Sequence, residues 1–413
     1  MKRLSATSVY LIVQTAISFL QALVFLSLSI YYVQVVGMNP LQLVLVGTTI
    51  EVTIFIFEIP TGVVADTYSR RLSVIIGFAL VGLCFILEGA VPLFAAIILA
   101  EVIRGVGETF ISGAFAAWLT DEIGEAEVGR VFLRAGQVGR IGGIAGTLAS
   151  VGLGSLNLQL PVILGGLGVM TMSLCLIFVM PEKHFHKTAS EHKGWKAITS
   201  TASQGFSVAR TRPLAFTIIA VGFIYGAYSE GFDRLWEAHF LKDFTIPYFS
   251  PVIWFGIISI GGQLSGLVVT EVLIRRFDTS TPTGLVKVLR FCDSFQVMGL
   301  IIFALAGNFY LAIAAYWLAS NMRQWELYDA WVNQGLDSRV RATVLSFSSQ
   351  LNALGQFAGG PLVGLIGLTW GIPAALLASA LVLSPVILLY NRSLRYTGVA
   401  ASDSEVVVPA RER

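Results

Sequence analysis

Charge is scarce in this chain. Lys, Arg, Asp and Glu make up 13% of its 413 residues, against roughly a quarter in an ordinary soluble domain. So thin a supply of charge excludes a water-solvated globular surface. The net charge of +2 is too small to hold a nucleic-acid backbone. Cysteine is sparse too: Cys84, Cys175 and Cys292 each lie in an apolar run without paired spacing, so neither a disulfide framework nor a thiolate metal site is expected. Of the four histidines, His184, His186 and His192 fall in one polar stretch and read as solvated linker residues, while His239 stands apart. Gly105-x-Gly107 follows no strand and the chain has no P-loop lysine, so ATP drive is not expected. No nucleophile–base pair is evident, and neither an enzyme nor a bound cofactor is expected.

What the chain has in abundance is apolar sequence, 55% of all residues, gathered into runs long enough to cross a bilayer at roughly 20 residues each. Twelve such runs are predicted, at about 7–36, 41–60, 72–90, 93–119, 129–153, 160–180, 212–241, 249–273, 284–306, 308–335, 341–367 and 371–391. The Met1-Lys2-Arg3 start imitates a signal peptide, but its apolar region is too long and has no small-residue cleavage site; it reads as the first span. Positive charge collects on alternate connections: Lys2 and Arg3, Arg70 and Arg71, Arg130, a group from Lys183 through Lys187, Lys193 and Lys196 to Arg212, Arg275 and Arg276, Arg339 and Arg341, then Arg392 and Arg395. The opposite loops are nearly uncharged, Lys242 being the main exception. By the positive-inside rule both termini are cytoplasmic. The expected fold is therefore all-α and membrane-embedded: an N-terminal six-helix half (1–181), a cytoplasmic linker (182–211) with an amphipathic stretch near Trp195–Val208, a C-terminal half (212–396) and a tail (397–413).

The halves share an organisation. The fifth run carries Gly139-Arg140-Ile141-Gly142-Gly143-Ile144-Ala145-Gly146 and the eleventh carries Gly355-Gln356-Phe357-Ala358-Gly359-Gly360; small residues four apart let helix backbones approach closely. Runs four and ten both end in Trp-containing polar stretches, at Trp118–Asp121 and Trp331–Gln334. Duplicated six-helix halves are a common transporter construction.

The sharpest motif follows the second run: Gly62-Val63-Val64-Ala65-Asp66-Thr67-Tyr68-Ser69-Arg70-Arg71. It resembles the signature that joins helices two and three in the major facilitator superfamily, and the preceding Glu58-Ile59-Pro60-Thr61 is similar to the drug–proton antiporter branch. The resemblance implies two pseudo-symmetric six-helix bundles and a cytoplasmic gate at Gly62, Asp66, Arg70 and Arg71. Thr67 stands where the family has a basic residue, and Ser69 where it has a glycine. Asp66 and Arg70, four apart, are placed to pair. The second-half copy, Gly266 with Glu271, Arg275 and Arg276, is out of register.

Charges inside apolar runs are costly and mark cavities, partners or pathways. Run four carries Glu101, Arg104 and Glu108 on one helical face; run ten carries Arg323, Glu326 and Asp329, expected on one side as well. Glu230, Asp233, Arg234 and Glu237 line run seven, where an outer gate and a solvated helix end fit equally. Glu51 in run two is a proton-site candidate or an interhelical partner, and Arg140 a cavity-facing cation or a structural partner. Tyr225, Tyr228, Trp325 and Tyr328 are candidate substrate contacts by stacking and cation–π attraction. The family resemblance places runs one, four, seven and ten around a central cavity and gives the Arg104 position a part in proton transfer.

The function expected is a proton-coupled secondary transporter, exporting small lipophilic or amphipathic compounds by alternating access. It would act as a monomer in a bacterial inner membrane, with protons, a small-molecule substrate and lipid as its partners. The fifth run lacks the proline of the antiporter motif, so proton-coupled uptake or facilitated diffusion of a polar solute such as a sugar or organic anion is an alternative; a non-transporting membrane receptor is an alternative of another class.

Overall fold

In a computed structural model, residues 4–185, 195–336 and 338–394 are described. The tail 397–413, His186 and His192, and the basic residues Lys2, Arg3, Lys187, Lys193 and Arg395 lie outside them. The described residues form fifteen helices and no strand: α1 Ala6–Gln34, α2 Pro40–Thr67, α3 Arg70–Ala90, α4 Phe94–Ile111, α5 Ala114–Ile123, α6 Glu125–Gly154, α7 Gln159–Val179, α8 Trp195–Thr211, α9 Pro213–Asp243, α10 Pro251–Arg276, α11 Pro282–Leu305, α12 Phe309–Asn321, α13 Trp325–Gly335, α14 Ser338–Trp370 and α15 Ile372–Leu383. Nine helical stretches among them are long and apolar enough to span a bilayer, the last continuing α15 from Ile372 to Leu394. The other six, α4, α5, α6, α8, α12 and α13, fall outside that set. Helix α4 carries three charges, α6 gathers its charges in the stretch up to Arg140, and α12 has only 13 residues.

Local chemistry sets the helix ends. Asn39 and Gln42 cap α2 reciprocally, with Pro40 at its first position. Thr281 and Asn308 cap α11 and α12 through their side-chain oxygens. Helices predicted as continuous at 93–119 and 308–335 are each broken. Gly113, at φ +70°, turns the chain between α4 and α5 in a backbone conformation that side chains other than glycine's rarely adopt. In the second half the chain leaves helical geometry between Asn321 and Trp325. That break removes Arg323 from the helix that bears Glu326 and Asp329, so the expected stripe on one helix face does not form.

The chain divides into two compact units. The first comprises Met1–Ala197 with Glu237–Ile260; the second, Ile198–Trp236 with Gly261–Arg413. In the first unit α1 lies along α6 and α7, α3 packs on α4 and α7, and α2 packs on α4. A Cβ on Gly142 would fall under 3.0 Å from the Thr15 carbonyl oxygen, and one on Gly146 equally close to that of Phe19, so only hydrogen fits between α1 and α6. The second unit repeats the device between α9 and α14, where Gly355 and Gly359 lie just as tightly against the carbonyls of Phe223 and Ala227. Within that unit α11 packs against α12, α13 and α15. Lys242, the exception to the charge pattern, donates to the Met38 carbonyl at 2.9 Å and thereby ties the end of α9 to the α1–α2 turn.

Candidate functional site: two buried polar clusters

The first unit holds a buried ionic cluster on α4. Arg104 donates from Nε to Glu101 Oε2 at 2.8 Å and from Nη2 to Oε1 at 2.9 Å, a bidentate pair made possible by their three-residue spacing. The guanidinium also lies over the Phe25 ring of α1, 5.4 Å from its centroid. Both residues are buried, with Glu101 1% exposed. A second carboxylate, Glu88 of α3, faces the pair electrostatically and is fully buried. Tyr32 donates to Glu88 Oε1 at 2.8 Å, while Oε2 accepts no hydrogen bond among the described residues. Two buried carboxylates thus lie within electrostatic reach of one guanidinium, which hydrogen-bonds Glu101. Glu108, a turn further on, is half-buried and within electrostatic reach of Arg104.

The second unit holds a cluster of a different kind. Tyr225 of α9 donates to Asp293 Oδ2 of α11 at 2.6 Å, and its hydroxyl is 2.8 Å from that of Tyr390. Gln296, one turn after Asp293, donates to the Tyr228 hydroxyl at 2.9 Å. Tyr328 hydrogen-bonds Ser348 at 2.7 Å and the Ile218 carbonyl at 3.0 Å. Trp325 meets Tyr225 edge-on at a centroid distance of 5.1 Å. The helix break places Arg323 beside Asp233 of α9, with Nη1 2.8 Å from each carboxylate oxygen. Glu230, also on α9, is buried and pairs with Arg234 at 3.4 Å.

The motif after α2 is held by a set of side-chain bonds. Arg70 reaches Asp66 at 3.7 Å, donates to the Ala117 carbonyl at 3.1 Å and pairs with Asp121 of α5. Arg71 donates to the Ile177 carbonyl. Ser69 accepts from Leu72 N and so caps α3, while its hydroxyl donates to Glu182 at 2.7 Å. Glu182 also accepts from the Arg71 amide at 2.9 Å, and Glu122 accepts from the Lys183 and His184 amides. Ser69 is thus fixed at both its donor and its acceptor. A Cβ on Gly62 would meet nothing within 4 Å outside its own helix backbone.

The structure brings together some of the sequence candidates and separates others. Glu101 joins Arg104, and Asp233 joins Arg323. Glu51 is half-buried on α2, whereas Arg140 is exposed on α6 and Glu326 and Asp329 are exposed on α13. Of the aromatic candidates, Tyr225, Tyr228 and Tyr328 are buried and Trp325 is 36% exposed. Glu88 and Asp293 were not singled out by sequence, although each is a lone acid in an apolar run and that cost alone marks it. Among the described residues no group of His, Cys, Asp and Glu could hold a metal ion, and Cys84, Cys175 and Cys292 are free thiols.

Comparison with known proteins decides the family. The model of the Major Facilitator Superfamily matches residues 10–322. The chain belongs to this superfamily. It is 26% identical over 363 residues to the uncharacterised MFS-type transporter YxaM of Bacillus subtilis (strain 168), covering 85% of this chain and 87% of that one. Its fold is similar to that of the nucleoside transporter NupG, with a TM-score of 0.73 at 14% identity, covering 94% of this chain and 99% of that one. It is similar also to a POT family transporter in complex with a thioalcohol-conjugated peptide, with a TM-score of 0.68 at 12% identity and coverage of 95% and 96%. For the human organic anion transporter MFSD10 the TM-score is 0.56 at 16% identity, with coverage of 94% and 100%. These similarities establish the fold. The chain is a multi-pass membrane transporter.

Proposed function

We propose that this protein is a proton-coupled secondary transporter, of the drug–proton antiporter kind, that exports small lipophilic or amphipathic compounds by alternating access. The observation that carries the reading is the buried group Glu88, Glu101 and Arg104, with two carboxylates to one guanidinium. A buried charge without a partner is costly, so binding and release of one proton changes the energy of this part of the first unit. A transporter needs such an element if a proton gradient is to bias one conformation. We further propose twelve spans with both termini cytoplasmic in a bacterial inner membrane. In that reading α4 and α5 form one broken span, α12 and α13 another, and α6 completes the set. The six-helix halves are 1–181 and 212–396, the linker is 182–211, the tail is 397–413, and the working unit is a monomer. Gly62, Asp66, Arg70 and Arg71 form the cytoplasmic gate in that reading, supported by the pairing of Arg70 with Asp121.

The test uses purified protein in liposomes with an acidic lumen and ethidium, a permanent cation that carries no proton by itself. Ethidium accumulation that collapses when the pH gradient is removed supports the reading; accumulation indifferent to the gradient refutes it. A second reading, transport of an organic anion, is favoured by Arg140. It is exposed at the middle of the 30-residue helix α6, where a lipid-facing cation would be costly. In the same vesicles, gradient-dependent movement of carboxyfluorescein without movement of ethidium selects that reading.

A further inference from the structure

A buried carboxylate of the second unit, on α11, has a feature that the first cluster lacks. Asp293 is 1% exposed, and its hydrogen-bond partners are hydroxyls rather than cations. From α9 it is faced by Tyr225, with Tyr228 next along the helix, and from the stretch Ile372–Leu394 by Tyr390. On α11 its neighbours are Cys292 and Gln296, with Arg290 one turn before it and Lys287 exposed further back. Helix α12 contains no charged residue. Helix α13 offers Tyr328, which interacts with Tyr390, while its acids Glu326 and Asp329 are exposed. The nearby guanidinium groups are engaged elsewhere: Arg323 binds both oxygens of Asp233, and Arg290 donates to Asn391 at 2.8 Å.

Each tyrosine hydroxyl has one proton to donate and can also accept. With Asp293 ionised, Tyr225 donates to it, and Tyr390 donates either to Tyr225 or to the same carboxylate. With Asp293 protonated, its own O–H becomes a donor, so the hydroxyls can turn round without breaking the chain of contacts. Gln296 Oε1, buried one turn away, accepts no hydrogen bond among the described residues. The arrangement accommodates either protonation state by rotating hydroxyls, with no cation needing to move.

We propose that Asp293, with Tyr225 and Tyr390, is a proton-binding site of the second unit, separate from the Glu88–Glu101–Arg104 group. Its ligand is a proton held on the carboxylate, while the two hydroxyls turn between donating to it and accepting from it. If transport is proton-coupled, as proposed above, the protein has one protonation site in each unit and exchanges more than one proton per cycle.

The experiment reads protonation directly and needs neither substrate nor gradient, so its outcome is independent of the transport reading. Infrared difference spectra of the reconstituted full-length protein are recorded across a pH titration in light and heavy water, for wild type and for Asp293→Asn, Tyr225→Phe, Tyr390→Phe and Glu88→Gln. The expected result is a titrating carboxylic-acid C=O band that is absent from Asp293→Asn and retained in Glu88→Gln. In Tyr390→Phe its midpoint should move by about half a pH unit or more, as removal of one hydroxyl partner requires. The proposal is overturned if Asp293→Asn retains every titrating carboxyl band, or if both tyrosine variants titrate as wild type does. Should Asp293→Asn not fold, the two phenylalanine variants decide the matter by the same shift.

Discussion

Replacing Arg104 by Met is the perturbation whose size follows most directly from the structure. The change removes two charge-assisted hydrogen bonds to Glu101, at 2.8 and 2.9 Å, and the cation lying 5.4 Å from the Phe25 ring. It leaves Glu101 and Glu88 buried together without a cation. Removing one partner of a buried pair costs about 3–5 kcal/mol, chiefly because the other charge stays desolvated. Glu101→Gln alone should cost less, about 2–3 kcal/mol, since Arg104 loses its hydrogen-bonded carboxylate but keeps the attraction of Glu88. The double variant Glu101→Gln/Arg104→Met leaves only Glu88 of the group and should cost no more than Arg104→Met alone, giving a coupling energy of about 2–3 kcal/mol. The assay is thermal unfolding of purified protein in detergent, followed by tryptophan fluorescence or thiol labelling at buried Cys84. Additive losses in the double variant would refute the reasoning, because they would mean that the two side chains act independently.

Other positions give equally definite expectations. Gly146→Ala places a methyl group against the Phe19 carbonyl and should destabilise by about 1–3 kcal/mol or more. Gly143→Ala meets nothing within 4 Å and should be neutral or up to about 1 kcal/mol stabilising; equal melting points for the two variants would contradict the close crossing of α1 and α6. Glu182→Ala frees the Ser69 hydroxyl and the Arg71 amide and should raise the rate of tryptic cleavage in the segment after Pro181, whereas an unchanged rate would show that the anchor is not needed. In the α10–α11 loop, hydrogen bonds from the Ser280 hydroxyl and amide hold the Asp278 carboxyl below its ordinary range. A lowered folded pKa means that the turn's contribution is present above the ordinary carboxylate value and lost as pH falls through the lowered one. Protection of the residue-280 amide relative to its intrinsic exchange at the same pH should therefore be lost only at strongly acid pH, and Ser280→Ala should bring that loss to higher pH.

Much of this architecture is legible in the sequence, because the bilayer imposes rules that one chain can display. Apolar runs give the helices, glycines four apart give the close crossings, and Gly62–Arg71 gives the family. The spacing of Glu101 and Arg104 suffices for their pairing, since three residues put both on one helix face. Partners on different helices are another matter. Periodicity places Arg323 at a height along the chain, but its contact with Asp233 depends on a break after Asn321 that no glycine or proline announces. Tyr225 and Tyr328 look equally suited to a substrate cavity or to a packed core, and only the angular position of α9 and α13 decides that both are buried. Glu88 and Asp293 are single acids in apolar runs, and their hydroxyl partners come from α1, α9 and the residues after α15.

The central claim, that a proton moves against the transported compound through the buried acid–arginine group, has a direct measurement. Liposomes containing the protein and the pH dye pyranine are prepared with an acidic lumen, and ethidium is added outside. The account predicts that the lumen becomes more alkaline as ethidium enters, and that Glu101→Gln, shown to be folded by its melting curve, abolishes the change. Ethidium entry without any change in lumen pH, or an unaltered change in Glu101→Gln, would contradict it.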